Sequence, residues 1–234
     1  MNIGRTLFWF KDGDKQLHDL NNRFFEQGIL LNRLLNEVYD GKKIKFININ
    51  FSTNETYLLF PVLPKNKPYY YAGNLQYYGE FNRRLFENLS FKEQQNFIWK
   101  KANDYLKESA IILKNDNLAK SVEFAFNEGL KRNLNPDFKV IEANVNVGGK
   151  ELKASVWINF NKDEMSSKFT LEDAGKILFE KHIDKTKVGI EFFLEIYKSI
   201  ETDNNNIIIK GPKDVEYLPL KIPFSEILIN KNVI

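Results

Sequence analysis

Residues 140–160 read VIEANVNVGGKELKASVWINF, two alternating runs on either side of Gly148-Gly149. Successive side chains of a strand point to opposite faces, so alternation of apolar and polar residues marks a half-buried strand. Gly-Gly supplies the positive φ angles of a two-residue hairpin turn. Such a turn also sets the register, placing Val147 opposite Lys150 and Val145 opposite Leu152. One face then carries Ile141, Ala143, Val145 and Val147 with Leu152, Ala154, Val156 and Ile158. The other carries Glu142, Asn144 and Asn146 with Glu151, Lys153 and Ser155. Two separate strands agree on one dry face. The hairpin at 139–160 therefore anchors an antiparallel sheet.

Working outward, helical periodicity dominates the residues before it. Ser90-Phe91-Lys92-Glu93 is a capping box, in which the Ser hydroxyl and the Glu carboxylate satisfy free backbone N–H groups. It opens a helix predicted over 91–113, with Ile98, Ala102 and Tyr105 on one stripe. A second helix is predicted over 117–133, ended by Pro136, which disfavours helix in the residue before it. Leu17, Leu20, Phe24, Leu31 and Leu34 give a long helix over 15–39, with Gly28 as the place where it would break. Thr6–Phe10 reads as a strand before it. Lys45–Phe51 and Tyr57–Val62 read as a hairpin turning at Ser52-Thr53-Asn54-Glu55. Downstream, Thr170-Leu171-Glu172-Asp173 has the form of a capping box and predicts a helix over 171–182. Residues 188–200 fit either a helix or a strand, with length favouring helix. Ile207–Lys210 reads as a short strand, and Pro219 and Pro223 restrict the tail to irregular or edge structure.

The fold class is α+β, with helices packed on at least one antiparallel sheet. The chain reads as a single globular unit over 1–234. A soft boundary at 133–137 separates an N-terminal α/β lobe from a C-terminal α+β lobe.

Composition excludes several kinds of chemistry. The 234 residues contain no cysteine, so thiolate catalysis, disulfides and Cys-built zinc sites are out. No apolar run approaches the roughly 20 residues of a membrane span. The first residues lack the apolar core of a signal peptide, and with the absence of cysteine the expected location is the cytoplasm. Net charge is +3, with residues 65–135 at +4 and residues 136–234 at −2. A nucleic-acid binder usually carries a stronger and more clustered basic excess, so this partner is disfavoured.

Candidate chemistry is sparse. The two histidines, His18 and His182, stand in no metal-binding spacing. Gly148-Gly149-Lys150 lacks the other elements of a phosphate loop and is explained by the hairpin. Pro136-Asp137 with Glu151-Leu152-Lys153 resembles a metal-dependent nuclease pattern. The hairpin register, however, puts Asp137 and Glu151 about 30 Å apart, at roughly 3.3 Å per residue along the strand. No cofactor and no metal are expected.

One segment stands out. Tyr69, Tyr70, Tyr71, Tyr77 and Tyr78 fall between Lys65, Lys67, Arg83 and Arg84, so half of the 10 tyrosines lie in one short stretch. Tyrosine offers a rigid apolar ring with a polar tip, which suits a binding surface that stays partly wet. The competing reading is an edge strand after Pro68, with alternate rings buried and a turn at Gly73-Asn74. These five tyrosines with Arg83 and Arg84 form the candidate binding set. The leading expectation is a non-catalytic protein that binds another protein, as an immunity protein neutralises a toxin or an adaptor joins a complex. Two alternatives accompany it. One is a carboxylate- or metal-dependent enzyme using Glu80, Glu87 or Glu93. The other is a single-strand nucleic-acid binder using the same tyrosines.

Overall fold

The computed structural model describes residues 2–161 and 163–229, with the side chains of 228 and 229 left aside. The chain divides into two compact units, Met1–Pro136 and Asp137–Ile234. Among the described residues no helix is long and apolar enough to cross a membrane.

The first unit is built on a five-stranded sheet in the order β2-β1-β3-β5-β4. Its strands are β1 (Arg5–Asp12), β2 (Lys15–Gln16), β3 (Phe46–Ser52), β4 (Lys67–Tyr71) and β5 (Asn74–Glu80). β1, β3 and β5 run parallel, while β2 and β4 close the two edges antiparallel. The expected hairpin between 45–51 and 57–62 is therefore wrong. Thr53 stands at the N-cap position of α3 (Asn54–Leu59) without a side-chain capping bond, and the polar Ser-Thr-Asn-Glu stretch opens a helix rather than a turn. Thr and Asn serve either role, and only the parallel partner of β3 decides between them.

The long helix over 15–39 starts later and breaks earlier than its periodicity predicts. Lys15 and Gln16 pair with β1, α1 runs His18–Arg23, and α2 runs Phe25–Val38, with the break at Phe24. Gly28 lies inside α2 and does not break it. A Cβ there would come within 2.8 Å of the Thr6 carbonyl oxygen, so glycine lets the helix lie directly on β1. The remaining helices of this unit are α4 (Arg83–Glu87), α5 (Phe91–Ile112) and α6 (Asp116–Lys131). Ser90 and Glu93 form the expected capping box at α5.

These helices bury one face of the sheet. Phe8, Phe10, Ile47, Ile49, Phe51, Leu75 and Tyr77 join Leu30, Leu34, Ile98, Trp99 and Val122 in a single core. Phe10, Phe24, Phe81 and Phe86 pack as an aromatic cluster at the carboxyl end of β1. The intervening side chains of each strand are absent from this core.

The second unit contains a four-stranded antiparallel meander, β6 (Phe138–Val147), β7 (Lys150–Phe160), β8 (Glu164–Asp173) and β9 (Lys176–Lys187). Val145 pairs with Leu152 and Asn146 with Glu151, as the Gly148-Gly149 turn requires, with a bulge between Lys139 and Ile141. The helix expected over 171–182 does not form. Thr170 is buried in β8, where its hydroxyl accepts from Trp157 Nε1, and Leu171 pairs with Phe179. Ala174 and Gly175 both take positive φ and turn the chain into β9. A tight turn thus lies where the pattern reads as a first helical turn. Residues 188–200 are neither a long helix nor a strand: Glu191–Leu194 form one 3-10 turn before β10 (Ser199–Thr202). β10, β11 (Asn206–Lys210) and β12 (Leu220–Pro223) make a three-stranded antiparallel sheet, and α7 (Phe224–Ile229) follows.

Candidate binding face

Register across the first unit's sheet brings distant residues into rows on the face that the helices leave bare. Arg5, Phe46, Asn74 and Tyr71 form one row, and Leu7, Asn48, Gln76 and Tyr69 the next. Trp9, Asn50, Tyr78 and Lys67 form the third. Parallel strands are normally covered on both faces, and here an aromatic face is left half-exposed.

The polar groups of this face hold one another. Trp9 Nε1 donates to Asn48 Oδ1 at 2.9 Å, and Asn48 Nδ2 donates to Asn74 Oδ1 at 2.9 Å. Tyr78 OH donates to Gln76 Oε1, and Asn50 Nδ2 donates to the Tyr77 carbonyl. These bonds hold the rings and amides of the face in place. Partial burial also raises the Tyr78 phenol above its ordinary range.

The seven residues singled out by sequence separate into four settings. Tyr69, Tyr71 and Tyr78 lie on the bare face, Tyr71 being 71% exposed. Tyr70 points to the other side of β4 and donates to the Lys43 carbonyl at 2.7 Å. Tyr77 lies in the core, its ring stacked 4.2 Å from Tyr105 and its hydroxyl donating to Glu108. Burial, with Glu108 beside it, pushes that phenol far above the usual value. Arg83 and Arg84 belong to α4, at the carboxyl edge of the sheet. Arg83 donates to Asp12 at 2.9 Å and to Glu87 at 2.7 Å, whereas Arg84 is exposed.

Compared with family models, curated proteins and solved structures, the chain matches none.

The sequence reading missed Trp9, Phe46, Asn48, Asn74 and Gln76, which share the face with the tyrosines. Their signal was the polar alternation of Asn48 and Asn50 between Ile47, Ile49 and Phe51, visible but without a partner strand to give it meaning. It also took Tyr57–Val62 for the second strand of a hairpin. Leu58 is instead 73% exposed and Val62 91% exposed, on α3 and the loop leading into β4. Phe60, which ends α3, lies under the Lys11 ammonium at 4.0 Å from the ring centre.

Two of the four cations around the tyrosines, Lys65 and Arg83, are held in ion pairs. Lys65 pairs with Glu80 at 2.9 Å and donates to Asn54. In the second unit, Asp137 accepts from the Phe160 N–H and the Asn159 amide, and Lys153 pairs with Glu142. Glu151 sits at the other end of the hairpin, paired with Asn146. Among the described residues no group of three or more His, Asp or Glu side chains is placed to hold a metal.

Proposed function

We propose that this chain is a non-catalytic protein-binding protein, and that its partner docks on the bare face of the first unit's sheet together with the loop before β4. The carrying observation is the concentration of exposed apolar side chains on that face, on α3 and on the loop: Phe46, Leu58, Leu59, Val62, Tyr69 and Tyr71. Aromatic anchors beside aliphatic residues are what a protein surface can desolvate against. The aliphatic residues also weigh against a nucleic-acid partner, whose phosphates would need free cations. Lys65 and Arg83, two of the four cations near the tyrosines, already hold carboxylates. A protein that blocks a toxin, or an adaptor within a complex, has this kind of surface. We place it in the cytoplasm, where a chain without cysteine is at no disadvantage.

The test is affinity capture from native lysate with wild type, Val62→Asp, Tyr69→Ala and Phe192→Ala. A stoichiometric protein should be retained by wild type and by Phe192→Ala, which alters an exposed ring of the second unit. It should be lost from the other two variants at unchanged melting temperature. Recovery of nucleic acid instead, or a partner indifferent to Val62 and Tyr69, would overturn the proposal.

A further inference from the structure

A cleft of about 500 Å3 opens at the carboxyl ends of β1, β3 and β5. It lies outside the carboxyl ends of three parallel strands, and its volume is within the range of small-molecule sites, about 300–1,000 Å3. We propose that it binds an uncharged polyhydroxylated molecule of monosaccharide or cyclic-polyol size. This inference is independent of the docking surface.

The lining decides the ligand class. It includes the carboxylates of Asp12, Glu55, Glu80 and Glu87 and the guanidiniums of Arg83 and Arg84. Arg83 bridges Asp12 and Glu87, and Lys65 pairs with Glu80. With Lys65 counted, three cations face four carboxylates, which repels a phosphate and leaves a single negative charge, too little to hold a polyamine. A divalent cation has no set of three carboxylates among the described residues. Phe81 is the one apolar side chain among the lining residues, and it is only 3% exposed.

What remains is a ligand whose groups both donate and accept. A sugar hydroxyl donates to a carboxylate and accepts from an amide or guanidinium. The cleft offers both kinds on held side chains. Asp12 is fixed by the Thr53 hydroxyl at 2.8 Å as well as by Arg83. Asn82 Oδ1 accepts from the Leu85 N–H and Asn54 Oδ1 from Lys65, which leaves both amide nitrogens free to donate. Arg83 uses Nε and Nη1 and keeps Nη2 for a ligand.

The experiment is a titration of the 15N-labelled protein with D-ribose, D-glucose and myo-inositol, with sodium phosphate and spermidine as probes of the other chemistries. At least one polyol should give saturable shifts at Asn54, Asn82 and Arg84. Arg84→Ala should weaken that binding about tenfold or more, the loss expected for a charged hydrogen bond. Its melting temperature should not change, because Arg84 is exposed. Glu55→Gln provides the second variant. Three results would each overturn the proposal: no saturable response to any polyol, saturation by phosphate or spermidine alone, or polyol binding undiminished in both variants.

Discussion

Alanine substitution of Tyr71 and of Tyr77, one at a time, separates surface from core within a single tyrosine-rich segment. Tyr71 is 71% exposed, so Tyr71→Ala costs only what a surface strand substitution costs, under about 1 kcal/mol. Tyr77 is 2% exposed, stacks on Tyr105 and bonds Glu108. Tyr77→Ala removes a buried aromatic ring from a close-packed core, a change that costs about 3–5 kcal/mol. At roughly 2–4 °C per kcal/mol for a chain of this size, a loss of about 4 kcal/mol lowers the melting temperature by roughly 8–16 °C. Urea melts followed by far-UV circular dichroism measure the two stabilities, and titration with the captured partner measures binding. If Tyr71 is an anchor, its truncation weakens binding by about 2 kcal/mol or more, near thirtyfold. Equal unfolding midpoints for the two variants would refute the placement of the rings. A Tyr71→Ala protein that binds as wild type would remove this ring from the interface.

Two further predictions concern the hairpin and the Asp12 network. Val145→Asp puts an unpaired charge on the dry face and should destabilise strongly, whereas Asn144→Asp, one residue away on the exposed face, should be mild; equal losses in a urea melt would refute the register. Hydrogen bonds from Arg83 and then Thr53 hold the Asp12 carboxyl below its ordinary pKa of 3.8. A depressed carboxylate pKa contributes stability above the unfolded value, and this is lost as pH falls through the folded one. Wild type should therefore lose stability more steeply below about pH 4 than Asp12→Asn, and parallel acid limbs in pH-dependent melts would count against the network.

Local chemistry was enough for the sequence to determine the 139–160 hairpin, α5 with its capping box and the α+β class. A Gly-Gly turn sets a register by itself, and Ser90 reaches Glu93 within one helical turn. The same local reasoning failed at 171–182 and at 52–62. Thr-x-x-Asp and Ser-Thr-Asn-Glu suit a helix start and a turn alike, and the choice belongs to Phe179 pairing with Leu171 and to β1 lying parallel to β3. The bare face could be found only in the assembled fold. Tyr69, Tyr71 and Tyr78 were legible as candidates, but their neighbours Trp9, Phe46 and Asn48 come from strands far along the chain. Tyr77 and Tyr78 are adjacent and equally aromatic, yet one is core and the other surface. Period-two alternation says that they differ. Which of them meets the helices was decided only when α5 laid Tyr105 on Tyr77, because burial is a property of the packed layers and not of the strand.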